Sequence, residues 1–408
     1  MSTAGDFDSR QLMSCGIAIV GAGLASLRTV DALRAEGYTG DITVFGAEKY
    51  MPYTRPPISK ALLHDSAVHD AVALTRRSTS ARDRWLLRTR IVGSDLTKRT
   101  LTADDGSTFG YEALVAASGV EPRRLSATAG RADCRSLRSL DDAQFVQANV
   151  ADGATVVVLG AGFIGCEAAA SLTGRGIRVH VVALDDAPMV RPLGALVGGE
   201  IRRRHEAHGV VFHLGVGVSA VEGDDFAPVV TLSDGSSIAA SLVIEAVGSR
   251  PSTSWMEGNG LDLTDGVLCS NDLRVVGTAD VVAVGDVARF PNPMFDDVAR
   301  RVEHWQMPMF SAKRAARSLL AGSVTTAPAF DSFAPMPWFW SDQFDVKIQS
   351  FGQPGLGTDV TVVDGELGAD FCAAYIRDGV VVGVVHIGEA KKAAKFRGLI
   401  GTSMMVRS

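Results

Sequence analysis

The apolar positions of the chain form a repeated pattern. At a constant offset of 139 residues, segment 17–37 (IAIVGAGLASLRTVDALRAEG) overlays segment 156–176 (VVVLGAGFIGCEAAASLTGRG). Each copy begins with an apolar run, passes through a glycine loop into a helical pattern, and is followed by a second apolar run, DITVFG or IRVHVV. This order is typical of a strand, a crossover helix and a parallel strand, so the sequence predicts two βαβ units.

The glycine loops have the spacing that a dinucleotide requires. In GxGxxG the first glycine permits a tight turn, the second lets the backbone approach a pyrophosphate, and the third allows close packing of helix on strand. The following helix directs its free N–H groups at the phosphates. One such loop is a weak signal, but two copies in matched units predict two bound dinucleotides. The loop positions are Gly21, Gly23, Ala25 and Ser26, where a small serine replaces the third glycine, and Gly160, Gly162, Ile164 and Gly165.

Further apolar runs extend the two units into domains. Strands are predicted at 86–92, 112–117, 211–214, 242–246 and 281–284. Junctions that carry glycine and proline, at 118–125 and 247–253, flank the second repeat. We therefore expect the second unit to be inserted into the first domain. That domain then resumes and ends with a helix near 308–321, with Pro308 in its first turn.

From about residue 326 the pattern becomes aromatic and β-rich, and it ends in a Lys-rich helical pattern. This segment predicts a third, α+β domain. The predicted fold class is therefore α/β, with two Rossmann-like dinucleotide-binding domains followed by a C-terminal α+β domain. The predicted boundaries are 14–118 with 249–325 for the first domain, 119–248 for the second and 326–408 for the third.

The composition limits the classes of partner. A formal net charge of −6 argues against a protein that binds nucleic acid. The apolar runs are far shorter than the roughly 20 residues that span a bilayer. The N-terminal stretch 1–16 carries Asp6 and Asp8 and lacks the apolar core of a secretory signal, so we expect a loose tail. The expectation is a soluble, cytoplasmic protein with no membrane partner.

The cysteines and histidines do not form a metal site by their spacing. The five cysteines contain no CxxC pair, which fits a reducing compartment and argues against structural zinc. His205 and His208 have helical i, i+3 spacing, but no third ligand lies nearby and Gly209 ends the helix. We therefore expect both histidines to lie on an exposed surface, and we expect no metal. The cysteines are Cys15, Cys134, Cys166, Cys269 and Cys372.

The motifs in their order resemble one family. The stretches are VGAGLAS, PYTRPPISK, LVAASGVEPR, SLRSLDDA, LGAGFIGCE, AVGDVARFPNP and PWFWSDQ. Together they resemble the oxygenase-coupled, NADH-dependent ferredoxin reductases of the putidaredoxin reductase type. The resemblance implies FAD in the first domain, NADH in the second, and a C-terminal interface domain.

The resemblance also implies roles for single residues. Gly21, Gly23 and Ala25 would lie against the FAD pyrophosphate, Arg138 would lie near FAD, and the backbone of Ile91 would contact adenine. Asp286 would bond the ribityl chain and Trp305 would lie against the flavin. From the residues alone, Asp286 could instead cap a turn and Trp305 could be a core aromatic. The other candidate cofactor-binding residues are Ser26, Glu48, Arg55, Gly160, Gly162, Ile164, Gly165, Asp185 and Gly248.

The segment RPPISKALL, residues 55–63, carries the candidate chemistry. We expect Ser59 to cap a helix that holds Lys60 in its first turn. The pattern alone would allow a solvated lysine, whereas the resemblance places Lys60 beside the flavin N5 edge with Glu167 as its partner. A cation there can stabilise the negative charge that hydride arrival develops on the flavin, and a buried ammonium needs a counter-charge. Lys60 and Glu167 are therefore assigned as orienting groups and not as acid and base.

Several positions depart from the family pattern. Ala47 and Ala183 stand where an acidic residue usually meets the adenosine ribose, and Glu48 and Asp185 could substitute. Because an NADP site needs an Arg near residue 184 and the sequence offers Asp185 and Asp186, NADH is predicted. Three further departures precede the last helix of the first domain, at Met307, Pro308 and Ser311.

The expected reaction follows from the absence of cysteine in RPPISKALL. The related disulfide reductases carry a redox cysteine pair there, so electrons are expected to pass directly to an external one-electron acceptor. The predicted function is an FAD-dependent NADH:[2Fe-2S] ferredoxin oxidoreductase, monomer or homodimer, that serves a cytochrome P450 or a Rieske-type ring-hydroxylating dioxygenase. A rubredoxin reductase, an NADH oxidoreductase acting on quinones or other small acceptors, and a redox-sensing flavoprotein similar to apoptosis-inducing factor stay open.

Basic clusters are candidate docking surfaces for an acidic ferredoxin. Each cluster could also be an ordinary solvated face. They are Arg300 and Arg301; Lys313, Arg314 and Arg317; and Lys391, Lys392, Lys395 and Arg397.

Overall fold

The first glycine-loop unit forms a five-stranded parallel sheet. A computed structural model describes residues 13–64, 68–77, 79–322 and 331–404. Residues 1–12 of the predicted N-terminal tail and the predicted boundary at 325/326 lie outside these residues. The end of the predicted tail is not loose, because Met13–Ser14 forms a strand paired with Phe109 and Gly110, and Cys15 is buried. Helix α1 (Leu24–Ala35) crosses over between neighbouring strands and packs against α5 (Met307–Ala321). The strands, in spatial order, are Val281–Ala283, Ala113–Ala116, Ile17–Val20, Ile42–Gly46 and Asp83–Leu87.

The predicted single strand at 86–92 is wrong. The chain turns at Arg88, whose φ is 56°, so the run is divided between strands Asp83–Leu87 and Ile91–Asp95 in different sheets. The turn is stabilised by hydrogen bonds from the Arg88 and Thr89 backbone N–H groups to the carbonyls of Glu48 and Gly46. The sequence carried a sign of this turn, because the polar residues Arg88, Thr89 and Arg90 separate the apolar pair Leu86–Leu87 from Ile91 and Val92.

The second unit repeats this construction. Helix α3 (Phe163–Gly174) packs on its five parallel strands, and α2 (Leu140–Asn149) and α4 (Val190–Ala207) pack beside α3. The chain passes between the two parallel sheets twice. The two connecting segments contain the strands Val120–Pro122 and Ser249–Pro251, which pair in an antiparallel arrangement. The strands, in spatial order, are Cys134–Ser136, Leu242–Glu245, Thr155–Leu159, Arg178–Ala183 and Val211–Leu214.

The C-terminal part is a five-stranded antiparallel sheet. One face packs on α3 and α4, and the other carries α6 (Ala390–Ala393) and a 3-10 segment at Ala394–Leu399. Its central hairpin turns at Asp378 and Gly379, both with positive φ. The strands, in spatial order, are Trp338–Gln343, Val346–Gly352, Val380–Ile387, Phe371–Arg377 and Asp359–Gly365.

Three small sheets complete the described fold. None of the helices in the described ranges is long and apolar enough to cross a membrane. The first small sheet contains Met13–Ser14, Thr108–Gly110, Thr100–Ala103 and Ile91–Asp95; the second contains Val218–Glu222, Val229–Leu232 and Ser237–Ala239; the third contains Val267–Leu268, Ala288–Asn292 and Asp296–Arg301.

Candidate active site

A cavity of about 820 Å³ lies where the three parts of the chain meet. It is lined by the first glycine loop, the RPPISK segment, the start of α3, and the first strand of the C-terminal sheet. This combination brings most of the predicted site residues together. Those that line the cavity are Gly21, Gly23, Ala25, Glu48, Arg55, Lys60, Arg138, Ile164, Glu167, Asp286 and Trp305.

The two glycine loops are shaped for close approach of a ligand. Gly21 and Gly160 have φ of 110° and 105°, and a Cβ atom would lie 2.2 Å from the Ala117 carbonyl oxygen and 2.3 Å from that of Ala246. In contrast, a Cβ atom at Gly23 or Gly162 would meet nothing within 4 Å. Helices α1 and α3 begin at these two glycines without a side-chain cap, so their first N–H groups are available to a pyrophosphate.

Ser26 takes a defined role in the first loop. Its buried hydroxyl donates a hydrogen bond to the Gly21 carbonyl at 2.5 Å. At the equivalent position of the second loop, a Cβ atom on Gly165 would lie 2.0 Å from the Gly160 carbonyl oxygen. The first loop is therefore open enough for a small side chain, as expected, and the hydroxyl satisfies the carbonyl that this side chain covers.

A charged cluster forms one wall of the cavity. Glu48 pairs with Arg55 at 2.5 Å and also accepts a hydrogen bond from the Tyr53 hydroxyl at 2.5 Å. Arg55 donates in turn to the Arg138 carbonyl at 2.7 Å. Burial lowers the pKa of the Arg55 guanidinium, but Glu48 and Tyr53 outweigh this effect and the pKa is raised. Burial also lowers the pKa of Arg138, with the Arg55 charge acting in the same direction.

Asp286 faces the cavity from the loop that follows Val281–Ala283. Burial raises the pKa of its carboxyl to about 6, and the charge of Arg138 opposes this rise. Ser311, one of the departures from the family pattern, holds this loop: its hydroxyl accepts the Gly285 N–H at 3.2 Å and donates to the Met307 carbonyl at 2.8 Å. Pro308 lines the cavity, and Met307 is buried.

Lys60 forms an ion pair with Glu167 on the cavity wall. The Lys60 Nζ lies 2.7 Å from Oε1 of Glu167, and the two side chains are 17% and 7% exposed. Glu167 Oε2 accepts a hydrogen bond from the Ser59 hydroxyl at 2.5 Å, and Oε1 accepts one from Ser341 at 2.5 Å. The site thus contains a carboxylate that faces one ammonium and two hydroxyl donors.

The prediction that Ser59 caps a helix is wrong. The segment forms two short 3-10 helices, Pro56–Ser59 and Ala61–Leu63, and Lys60 lies between them with φ −127° and ψ −114°. The Ser59 hydroxyl points across to α3, where it donates to Glu167. A long-range partner therefore replaces the local cap, and Lys60 sits at a break between two helical turns.

Some predicted residues lie away from the cavity wall. Ile91 is buried at the start of its strand, and Asp185 pairs with Arg191 at 3.1 Å. Phe163 and Ile164 line the cavity next to the second glycine loop, whose glycines do not. The predicted residues outside the lining are Ser26, Ile91, Gly160, Gly162, Gly165, Asp185 and Gly248.

The predicted exposure of the two α4 histidines holds only for His208. His205 is 2% exposed, and its ring nitrogens lie 2.9 Å from the Ile201 carbonyl and 3.2 Å from that of Cys166. Phe344, from the C-terminal part, packs against both rings. Within the described residues, no cluster of three or more His, Cys, Asp or Glu side chains could hold a metal.

Sequence reasoning missed several residues of the site. His304 lines the cavity with its ring centroid 4.9 Å from that of Phe339, and burial lowers its pKa to about 4. Phe339 also meets Phe163 edge-on at 4.8 Å. Ser341 was missed as well, although the alternation of a strand places Phe339, Ser341 and Gln343 on one face, and polar residues at such core-facing positions signal a hydrogen-bond network.

The chain matches two family models. Residues 16–312 match the pyridine nucleotide-disulphide oxidoreductase model, and residues 338–408 match the C-terminal reductase model.

The chain belongs to the pyridine nucleotide-disulphide oxidoreductase family.

Several known proteins are similar to this chain over nearly its whole length. A rhodocoxin reductase from Rhodococcus erythropolis is 31% identical over 394 residues, covering 95% of this chain and 90% of the relative. The ferredoxin–NAD(+) reductase component of an anthranilate 1,2-dioxygenase system from Burkholderia cepacia is 31% identical over 399 residues, with coverages of 95% and 94%. The structure of a ferredoxin reductase for the CYP199A2 system of Rhodopseudomonas palustris superposes with a TM-score of 0.87 at 29% identity, with coverages of 95% and 96%.

The family membership confirms the predicted fold class and the resemblance read from the motifs. The protein is an NADH-dependent oxidoreductase with FAD and NADH as cofactors. None of its five cysteines, all of which are buried, is in a disulfide or in the described cavity lining.

Proposed function

We propose that this protein oxidises NADH through FAD and passes electrons singly to a [2Fe-2S] ferredoxin, which serves a cytochrome P450 or a ring-hydroxylating dioxygenase. The flavin supplies the change from a two-electron donor to a one-electron acceptor. The observation that carries the proposal is the cavity wall, which contains the Lys60–Glu167 ion pair and, among the described residues, no cysteine.

The residues of the cavity bind and orient the cofactors. The first glycine loop and the start of α1 would hold the FAD pyrophosphate, and the Asp286 carboxylate would accept a hydrogen bond from a ribityl hydroxyl. The second loop and α3 would hold the NADH pyrophosphate, and the Asp185 carboxylate would accept a hydrogen bond from a ribose hydroxyl. Lys60 stabilises the negative charge that arrives with the hydride, and Glu167 holds Lys60 in place.

The ferredoxin acceptor is supported by the relatives that are named ferredoxin reductases, whereas two related rubredoxin–NAD(+) reductases make rubredoxin the second candidate. The relatives include a rhodocoxin reductase and a dioxygenase ferredoxin–NAD(+) reductase component, and the fold is shared with a structure of a covalent complex between putidaredoxin reductase and putidaredoxin. Buried cysteines without disulfides support a reducing compartment such as the cytoplasm.

The test is steady-state oxidation of NADH by the purified flavoprotein with a panel of acceptors. We expect rapid turnover with at least one [2Fe-2S] ferredoxin, and slower turnover with rubredoxin, quinone and oxygen. Faster turnover with rubredoxin or a quinone than with every ferredoxin would overturn the proposal. Slow turnover with all acceptors and a long-lived reduced state would instead indicate a redox sensor.

A further inference from the structure

The Lys60–Glu167 pair is held by a strand of the C-terminal sheet. Ser341 lies in strand Trp338–Gln343 and is fully buried, and its hydroxyl donates to Glu167 Oε1 at 2.5 Å. Behind it, the Gln343 side-chain amide donates to the Ser341 oxygen at 2.9 Å. Because that oxygen accepts from Gln343, the serine proton is directed at Glu167.

The groups around Glu167 come from two parts of the chain that are both distant from it in sequence. Ser59 and Ser341 are separated from Glu167 by 108 and 174 residues in sequence. The network therefore joins the RPPISK segment, helix α3 and the C-terminal sheet. Buried polar groups are costly unless they are hydrogen-bonded, so the burial of Ser341 and Gln343, at 0% and 2% exposure, is explained by this network.

We propose that Ser341 is a positioning residue for the flavin-reducing site: it fixes the Glu167 carboxylate so that Lys60 stays at the cavity wall. This inference rests on the proposed role of Lys60 and Glu167. Without the Ser341 hydroxyl, Glu167 would keep Lys60 and Ser59 as partners, but the carboxylate could rotate and carry the ammonium with it. The C-terminal sheet would thus contribute to hydride transfer from NADH as well as covering the cavity.

The test compares Ser341→Ala with Ser341→Thr, which keeps a hydroxyl, and with Ser350→Ala as a matched control. Ser350 is also fully buried, lies on the same sheet opposite Phe339, and has no hydrogen-bond partner for its hydroxyl among the described residues. In anaerobic stopped-flow mixing with NADH, we expect flavin reduction to be about tenfold slower in Ser341→Ala. Ser341→Thr should recover much of the rate, and Ser350→Ala should match the wild type.

Two double mutants separate positioning from general packing. If Ser341 acts through the ion pair, Ser341→Ala should have no further effect on flavin reduction in a Lys60→Met background. In thermal unfolding, Ser341→Ala and Glu167→Gln should lower the melting temperature by less together than the sum of the single effects. Equal rates for Ser341→Ala and Ser350→Ala, additive effects with Lys60→Met, or additive melting shifts would overturn the proposal.

These experiments do not depend on the electron acceptor. Flavin reduction by NADH is measured without ferredoxin, so a failure of the acceptor panel would leave the result for Ser341 unaffected. Conversely, a normal rate of flavin reduction in Ser341→Ala would overturn the role of Ser341 without contradicting the proposed reduction of ferredoxin by the wild type.

Discussion

At the scale of residues, the burial and the hydrogen-bond partners of Lys60 and Glu167 determine what these side chains can do. A lysine after two prolines on a loop could simply be solvated, but here the Lys60 side chain is 17% exposed and its ammonium lies 2.7 Å from a buried carboxylate. The cost of desolvating the two charges is offset only when both are paired and hydrogen-bonded, and Ser59 and Ser341 supply the additional donors. Each charge is thereby fixed in position.

We predict that Lys60→Ala slows flavin reduction by NADH by about 10²-fold, because it removes the cation that stabilises developing charge. Stopped-flow absorbance of the flavin measures this rate. Lys49→Ala is the control, since Lys49 also forms an ion pair, with Asp141 at 3.0 Å, but is 41% exposed. An unchanged rate in Lys60→Ala would remove the basis for its assigned role.

His205 leads to a prediction on pH. Burial lowers the pKa of its ring, although the Ile201 and Cys166 carbonyls act in the opposite direction. As the pH falls below about 6.5, the unfolded chain therefore takes up a proton that the folded protein does not, and the free energy of unfolding decreases. Urea midpoints between pH 5 and 8 should show this loss in the wild type and a weaker one in His205→Asn. Parallel profiles would contradict the prediction.

At the scale of elements, the two glycine loops are equivalent in sequence but not in detail. Both begin a helix at a glycine without a side-chain cap, and both bring a glycine against a backbone carbonyl. Only the first loop accommodates a side chain at its third position, where Ser26 bonds to Gly21. The repeat thus preserves the features that a pyrophosphate requires, while the packing of helix on strand differs.

Gly160→Ala should lower the free energy of unfolding by roughly 2–4 kcal/mol and weaken NADH binding, because the new Cβ would meet the Ala246 carbonyl at 2.3 Å. The matched control is Gly176→Ala. Gly176 also has a positive φ, of 78°, but a Cβ there meets nothing within 4 Å, so a smaller loss is expected. Chemical denaturation and NADH titration measure both effects, and equal losses would contradict the argument.

At the scale of the whole molecule, several residues of the basic clusters form ion pairs with nearby carboxylates. Arg300 and Arg301 pair with Asp296 and Asp265, and Arg317 pairs with Glu36. Lys392 and Lys395 pair with Asp370 and Asp364. Lys313, Lys391 and Arg397 are exposed and make no ion pair within the described ranges, so they are the cations best placed to attract an acidic partner.

We therefore predict that reduction of an acidic ferredoxin slows by tenfold or more between low and high salt, as screening weakens electrostatic steering. Turnover with a neutral quinone should change little. The double variant Lys391→Ala, Arg397→Ala is compared with Lys313→Ala. The variant in which ferredoxin reduction loses its dependence on salt identifies the face that binds the ferredoxin. A flat salt response in the wild type would exclude steering by charge.

The sequence by itself determined the repeated βαβ units and their glycine loops, because these features depend on local periodicity and on residue types at fixed spacing. Helix α5 with Pro308 in its first turn was predicted for the same reason. The pairing of Lys60 with Glu167 was implied only by the resemblance of the motifs to a family. In contrast, the strand at 86–92 was predicted wrongly because the polar residues 88–90, at which the chain turns, were read as part of one strand.

Only the tertiary structure decided which side chains meet. Ser59 appeared to be a local helix cap, but its hydroxyl bonds to a carboxylate 108 residues away, and Ser341 reaches the same carboxylate from 174 residues away. His205 was expected to be exposed because Gly209 ends its helix and no third metal ligand lies nearby in sequence, yet Phe344 from another part of the chain covers it. Such contacts depend on how separate elements pack, which the local order of residues does not encode.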